Sequence, residues 1–510
     1  MTSSHDDAPI IAAIATLAGD DLLQFVAKQR WFAGKSAAPS AAHVASSIVL
    51  PWGDGRFAIT RVVVTADDAD VEYQVPLAVG DSIPVGVADR FVLGAGGGKR
   101  RVYDAVQDPE FRVGLAGAIA RGAVARHGDN SWVIEAIESE WLPITESIKT
   151  TVSSAEQSNT SIIIDERAIL KLFRTLKPGV HPDVEVTQFL TSRAGFPNTP
   201  RLLATIHFDD GSERTTAGMV QEFLPGSIDA WSYAFERGRP YFTAPAGRDA
   251  PNVFVADAKR LGAITRAMHD ALASDDDDPS FAPEPLVPED LDRWAHRTQQ
   301  SIRESLALLE RQIETPSFPR ERVAEAQALA RRRDHYVGWI DEIVDDLADA
   351  ASDGARIRIH GDYHLGQVLH TASGDFMIID FEGEPSKSLE ERREKTSPLR
   401  DVAGMLRSIA YAAATLAASV EKTVDLPTRE LRSARWERDV RDAFLTGYLA
   451  DNGERQELPE LFPTDDKQVL QLLSLFETEK AFYELAYELN NRPSWVGIPM
   501  RGIAKLFVTR

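Results

Sequence analysis

The chain has no cysteine in 510 residues, which excludes disulfides, thiolate metal sites and cysteine nucleophiles together. No uninterrupted apolar run approaches the roughly 18 residues that a membrane span needs. The opening MTSSHDDAPI lacks a basic region followed by a long apolar stretch, so no signal peptide is visible. Positive charge is also short: 56 Lys and Arg stand against 78 Asp and Glu, for a formal net charge of −22. Nucleic acid and anionic membranes both reward Lys and Arg, so neither is expected as a partner. These absences together predict a cytoplasmic protein. An anionic nucleotide stays compatible, because a local site can be basic on an acidic chain.

What is present suits a globular protein, with 43% hydrophobic residues and 8% aromatics. The length exceeds one ordinary core, so two or three domains are expected. Apolar periodicity predicts a helix over 20–35, strands over 57–64 and 71–75, a Gly-rich turn over 93–100, a helix over 109–125 and strands again over 131–141. Residues 1–145 therefore read as a mixed α/β N-terminal cap region. Residues 146–226 change pattern: strands over 160–164 and 168–173, a helix from Pro182 to about 192, and strands near 202–208 and 217–224, closed by Pro225-Gly226. That order fits a small β-rich nucleotide-binding lobe. From 227 to 510 the pattern is helical, near 253–273, 288–313, 319–350, 398–420, 429–450 and 466–490. The one strong β-like interruption is 356–382. The acidic run 275–278 beside Pro279 reads as a solvated linker. The fold class is α+β, and no internal repeat is visible.

The interruption carries the chemistry. Residues 356–384 read RIRIHGDYHLGQVLHTASGDFMIIDFEGE. Asp362 follows a short apolar strand, Gln367 stands five residues on, and Asp380 ends a second apolar run. An acid, an amide and a second acid in that order match the needs of phosphoryl transfer, with one carboxylate facing the acceptor hydroxyl and the other two groups holding Mg²⁺. His360 is expected to prop the loop. A competing reading takes His360, Asp362 and His364 as alternate strand residues converging on zinc, but it leaves Lys171, Glu185 and Asp380 without a role.

In the smaller lobe, Lys171 lies among Leu170, Leu172 and Phe173, so a buried ammonium in need of a partner is predicted. Glu185 in the next helix could supply it, and a strand lysine paired to a helix glutamate grips ATP phosphates. The polar string 156–160, with Ser158, Asn159 and Thr160, could cover phosphates through N–H and hydroxyl groups, although such a string is more often a plain turn. Gln221 and Phe223 are grouped with this nucleotide side. The Gly-rich 93–100 stretch fails as a phosphate loop, because Leu93 and Arg100 occupy positions that require Gly and Ser or Thr. Near the C-terminus, Lys480, Tyr483 and Tyr487 share one helical face, and Arg492 and Trp495 follow the turn. Rings beside polar groups suit a sugar, and a tyrosine-bearing core face fits the same spacing. His364, Glu382 and Arg407 are grouped with this acceptor side.

HGDYHLGQVL (360–369) with IIDFEGEP (378–385) resembles the aminoglycoside-phosphotransferase/choline-kinase branch of the protein-kinase-like fold and, within it, bacterial maltokinases, including the module found fused to trehalose synthase. QRWFAGK (29–35), EQSNTSIII (156–164), LKLFR (170–174), PDVEV (182–186), SPLRDVAGMLRSIAYAA (397–413) and KAFYELAYELNNRPSW (480–495) extend the resemblance in order along the chain. The resemblance implies a bilobal fold with an N-terminal cap, and ATP-dependent phosphorylation of maltose to maltose 1-phosphate for α-glucan synthesis. It implies Asp362 as base, Gln367 and Asp380 as Mg²⁺ ligands, Lys171 and Glu185 as the phosphate grip, and an association with trehalose synthase. Related amino-sugar kinases share the HGD and DFE segments, so a glucosamine kinase or another sugar kinase of the same fold is the alternative, and a catalytically silent nucleotide- or glucan-binding module is the reading from another class.

Overall fold

Two runs rich in β-branched residues, FAITRVVVTA and ADVEYQVPLAVG, pair antiparallel from Phe57↔Ala78 to Ala66↔Ala69 and begin the first of two large sheets. The computed structural model describes residues 8–32, 39–67, 69–96, 100–138, 148–153, 158–245, 250–347, 354–450 and 460–507. They fall into two compact units, Met1–Thr191 with Pro200–Gly226, and Ser192–Thr199 with Ser227–Arg510.

Unit 1 runs α1 (Ala8–Ala15), α2 (Gly19–Ala27), β1 (Pro39–Val49), β2 (Phe57–Ala66), β3 (Ala69–Gly80), β4 (Val92–Gly96), β5 (Arg100–Asp104), α3 (Pro109–Arg121), β6 (Val124–His127), β7 (Asn130–Ala136), β8 (Thr150–Val152), β9 (Asn159–Ile164), β10 (Ala168–Phe173), β11 (Thr175–Leu176), α4 (Pro182–Gln188), β12 (Leu202–Asp209) and β13 (Arg214–Glu222). One sheet has the order β1-β2-β3-β5-β4, with β11 also on β3; the other has the order β6-β7-β12-β13-β10-β9-β8. The second sheet thus draws β6 and β7 from the stretch that sequence reading groups with the cap. α3 stops earlier than its apolar pattern, because Gly122 takes the left-handed conformation (φ 63) and closes the helix. The strand expected over 131–141 ends at Ala136, and 139–141 lie outside the described residues. The helix expected over 20–35 ends at Ala27, and 33–35 lie outside them too.

A buried network ties the two sheets of unit 1. Gln74 on β3 donates from Nε2 to Phe173 O (3.1 Å) and Ala217 O (2.8 Å), and its Oε1 accepts from Trp132 Nε1 (3.1 Å). Arg174, 1% exposed, donates to Asp104 Oδ2 (3.1 Å) and to Thr160 Oγ1 (2.8 Å). A charge so buried is tolerable only when paired and hydrogen-bonded.

Unit 2 runs β14 (Ile228–Asp229), α5 (Ala230–Thr243), α6 (Phe254–Leu272), β15 (Glu284–Pro285), α7 (Pro288–Ile313), α8 (Val323–Ala330), α9 (Arg333–Leu347), β16 (Ala355–Arg356), β17 (Val368–His370), β18 (Phe376–Ile378), α10 (Leu389–Arg393), α11 (Leu399–Ser419), α12 (Leu426–Tyr448), α13 (Asp466–Asn491) and α14 (Gly497–Leu506). The single helix expected over 319–350 is two helices, broken at Arg331-Arg332. The acidic 275–278 segment is a built turn rather than a free linker: Asp275 Oδ1 accepts the N–H groups of Asp277 and Asp278, and Asp278 takes Arg193 Nη1 at 2.8 Å. Among the described helices only α11 is long and apolar enough to cross a membrane, and 78% of its most apolar window is buried, as in a core helix.

Candidate functional site

On unit 1, strand register decides which side chains accompany Lys171. It stands opposite Ser161 on β9 and Met219 on β13. Successive strand residues point to opposite faces, so Ser161 shares the face of Lys171 and Thr160 does not. Thr160 Oγ1 accepts Arg174 Nε instead, on the side of the cap. Ser158 is exposed and Asn159 half-buried, while 156–157 lie outside the described residues. The Lys171 ammonium is buried, as its apolar neighbours require, and sits 3.0 Å from Asp183 Oδ2. Asp183 is fully buried in the first turn of α4, where Pro182 starts the helix and the helix dipole favours a carboxylate. Sequence reading missed Asp183; its place one residue after the helix-starting proline was the available signal. Glu185 follows on the same helix, half-buried. Gln221 is buried, its Nε2 donor without a hydrogen-bond partner among the described residues, and the Phe223 N–H is held by Arg167 O at 2.8 Å.

On unit 2, the loop carrying Asp362 is suspended from one buried carboxylate. Asp401, near the start of α11, accepts the N–H of His360 at Oδ2 (2.8 Å) and that of Gly361 at Oδ1 (2.9 Å), and pairs with His269 Nε2 (3.2 Å). Burial pushes this carboxyl up, but the His269 hydrogen bond and charge, with His360 and the Gly361 N–H, outweigh it and hold it below the usual range. Gly361 takes φ 84, where a side chain would be strained, and Gly404 lets α11 pass so close that a Cβ would lie 2.6 Å from Tyr363 O. His360 is a prop: its Nε2 meets Ile379 O at 3.0 Å. His364 Nδ1 accepts the Gly366 N–H, and burial lowers the imidazole's pKa, which favours the neutral ring. Among the described residues, His360, Asp362 and His364 do not converge as a metal ligand set, so the zinc reading loses its geometry. Tyr363 is a core residue whose hydroxyl is shared with Thr265 Oγ1 (2.9 Å).

The hairpin β17–β18 carries Gln367 just before its first strand and Asp380 just past its second. Ile379 N–H donates to Gln367 O (3.0 Å), which carries the Val368↔Ile378 pairing one step further and stands Gln367 opposite Ile379, with Asp380 the next residue. Asp380 has φ 71, a left-handed conformation that a non-glycine residue holds only when its surroundings impose it. Its carboxylate oxygen lies within 4.8 Å of one from Glu382. The paired Asp380 and Glu382 carboxylates offer oxygen donors of the kind Mg²⁺ prefers. Sequence reading groups Glu382 with the acceptor; its carboxylate stands with Asp380.

Asp362 opens on a cavity of about 450 Å³ within unit 2, walled by Trp294, Phe476, Lys480, Tyr483, Glu384 and Arg400 among others. Lys480 Nζ lies 3.3 Å from Asp362 Oδ1 and 3.0 Å from Glu384 Oε1, over the Tyr483 ring at 4.9 Å. Burial alone would lower this ammonium; Glu384 and then Asp362 reverse that and raise it. Burial raises Glu384, while Lys480 and Lys387 overcome it and hold the carboxyl at about 2. Lys480 is therefore a permanent cation beside the expected base. Glu384, two residues beyond Glu382, was not read from the sequence. The other expected acceptor residues lie off this cavity. Arg407 is buried and ion-paired to Glu484 at 2.7 Å, Tyr487 is exposed, and Arg492 is paired to Glu488 and stacked over Tyr487 and Trp495.

Residues 150–461 match the phosphotransferase enzyme family, and residues 25–108 match the maltokinase N-terminal cap domain. A glucosamine kinase from Streptacidiphilus jiangxiensis is 27% identical over 395 residues, covering 76% of this chain and 80% of that protein. One from Mycolicibacterium smegmatis is 25% identical over 348 residues, covering 68% and 76%. A solved glucosamine kinase in complex with glucosamine, ADP and inorganic phosphate superposes with a TM-score of 0.65 at 24% identity, covering 97% of this chain and 99% of that one, which shows the shared fold. The expected kinase-like class holds, with a cap, a β-rich N-terminal lobe and a helical C-terminal part. The chain belongs to the phosphotransferase enzyme family and carries a maltokinase-type N-terminal cap.

Proposed function

We propose that the chain is an ATP- and Mg²⁺-dependent sugar kinase whose acceptor is glucosamine. Unit 1 supplies the Lys171–Asp183 ammonium for the phosphates, with Glu185 on the same helix as Asp183 and Gln221 offering a donor that is unspent among the described residues. Asp362 orients the acceptor hydroxyl and takes its proton late in a loose transition state. Lys480 fixes the Asp362 carboxylate and adds positive charge where phosphoryl oxygens gather negative charge. Asp380, Gln367 and Glu382 would hold Mg²⁺, which neutralises phosphate charge when bound. The observation that carries the amino-sugar reading is the match to two glucosamine kinases over 76% and 68% of the chain.

A second reading, phosphorylation of maltose at its anomeric hydroxyl, is favoured by the match of residues 25–108 to the maltokinase cap. An association with trehalose synthase belongs to that reading alone. The test is a panel of glucosamine, maltose, glucose, trehalose and maltotriose with Mg-ATP. Glucosamine should give the highest kcat/KM; maltose far ahead of it would select the second reading, and phosphorylation of none would sink both.

A further inference from the structure

The QRW segment at 29–31 has no place in the chemistry above. It lines a cavity of about 490 Å³ inside unit 1, on the cap side of β9. Four cations face it, Lys28, Arg30, Arg90 and Arg174, against one carboxylate, Asp104, which is already committed to Arg174 at 3.1 Å. Lys28 and Arg90 are exposed and form no ion pair among the described residues. On a chain of net charge −22, this is a local reversal of sign, and it is held in place. Gln29, 3% exposed, donates from Nε2 to Phe25 O (3.0 Å) and Arg90 O (2.8 Å), fixing the two cation-bearing segments to each other. Trp31 and Phe91 also line it, with Arg174 over the Trp31 ring at 5.1 Å and Arg90 over the Phe91 ring at 4.7 Å.

We propose that this cavity is a second small-molecule site that binds a phosphorylated sugar. Arginine and lysine receive the phosphoryl group, and the rings pack on the C–H face of a sugar. The wall also reaches the nucleotide side: Arg174 holds Thr160 Oγ1 at the start of β9, and the adjoining loop is the one expected to cover ATP phosphates. Occupancy would therefore alter ATP use, and a sugar phosphate is the product class of the proposed reaction. That regulatory consequence rests on the kinase reading; the binding claim does not.

The experiment is calorimetric titration of the full chain with glucose 6-phosphate as probe, beside inorganic phosphate, for wild type, the Lys28→Glu/Arg90→Glu double variant, Arg90→Ala and Lys480→Met. Both cap side chains are exposed, and circular dichroism checks their fold. The double variant should weaken probe binding by about tenfold or more, Arg90→Ala by less, and Lys480→Met should leave it within about threefold. Wild-type affinity in the double variant, or loss only in Lys480→Met, overturns the cap site. Phosphate binding as tightly as the probe removes the sugar from the proposal. In the kinetic arm, the probe should change the KM for ATP in wild type and not in the double variant.

Discussion

Replacing Lys480 with methionine separates two roles for the residue, sugar contact and control of the base. The ammonium sits 3.3 Å from Asp362 and 3.0 Å from Glu384. At an effective dielectric of about 20, each pair is worth about 5 kcal/mol. Side chains of Lys480 and Asp362 are 23% and 24% exposed, so solvent screening and the cost of desolvating the ammonium remove much of this. About 2–3 kcal/mol remains for orienting Asp362 and stabilising phosphoryl charge, which corresponds to a fall in kcat of about 30- to 150-fold. The assay is steady-state ADP release at saturating Mg-ATP and acceptor, with the KM for each substrate measured separately. The KM for ATP should change little, and Lys480→Arg should restore part of kcat. If kcat stays within about threefold of wild type and only the acceptor KM rises, Lys480 is a sugar contact and the reasoning about the base is wrong.

Asp401→Asn should cut kcat by about 100-fold or more, because the amide turns an N–H toward the buried His360 or Gly361 N–H and loosens the loop by about 3 kcal/mol; a near-normal rate would show that the loop holds itself. Glu384→Gln tests linkage. The carboxyl lies at about 2 against an ordinary 4.5, so its contribution of about 3 kcal/mol is present above about 4.5 and is lost as pH falls toward 2. The variant should therefore be less stable than wild type at pH 7, with the gap closing toward pH 2; a gap independent of pH in denaturant titrations would refute the ion-pair account. Asp380→Asn should raise the Mg²⁺ concentration for half-maximal activity by about tenfold or more, whereas an unchanged metal profile would remove Asp380 from the ligand set.

Local signals carried much of the fold. The β9–β10 pair was readable from the two apolar runs over 160–164 and 168–173, and the Pro182 helix start from proline's fixed φ. Residues 356–384 showed their acid, amide and acid by spacing alone. The misses have tertiary causes. Asp183 and Glu185 both stand near the start of α4, and only the packed orientation of that helix shows Asp183 at Lys171. Asp401 lies 39 residues beyond Asp362, and nothing local announces that it holds the loop. Tyr483 and Tyr487 look alike on a helical wheel, yet only Tyr483 reaches the cavity, because the tilt of α13 is set by the helices against it. α5 was hidden by Pro240 within its last turns.

The buried Arg174 has a consequence for how this chain can be cut. Family borders fall at 108 and 150, but Arg174 from beyond the second border is neutralised by Asp104 from before the first. One hydrophobic core likewise mixes Ile48, Phe57 and Phe111 with Ile162, Leu170 and Leu203. A fragment beginning at 150 would strip Arg174 of its carboxylate and lay bare half of a shared core, so the catalytic region is not expected to fold as an independent module. Swapping caps between relatives would require exchanging Gln74, Asp104 and Arg174 as a set.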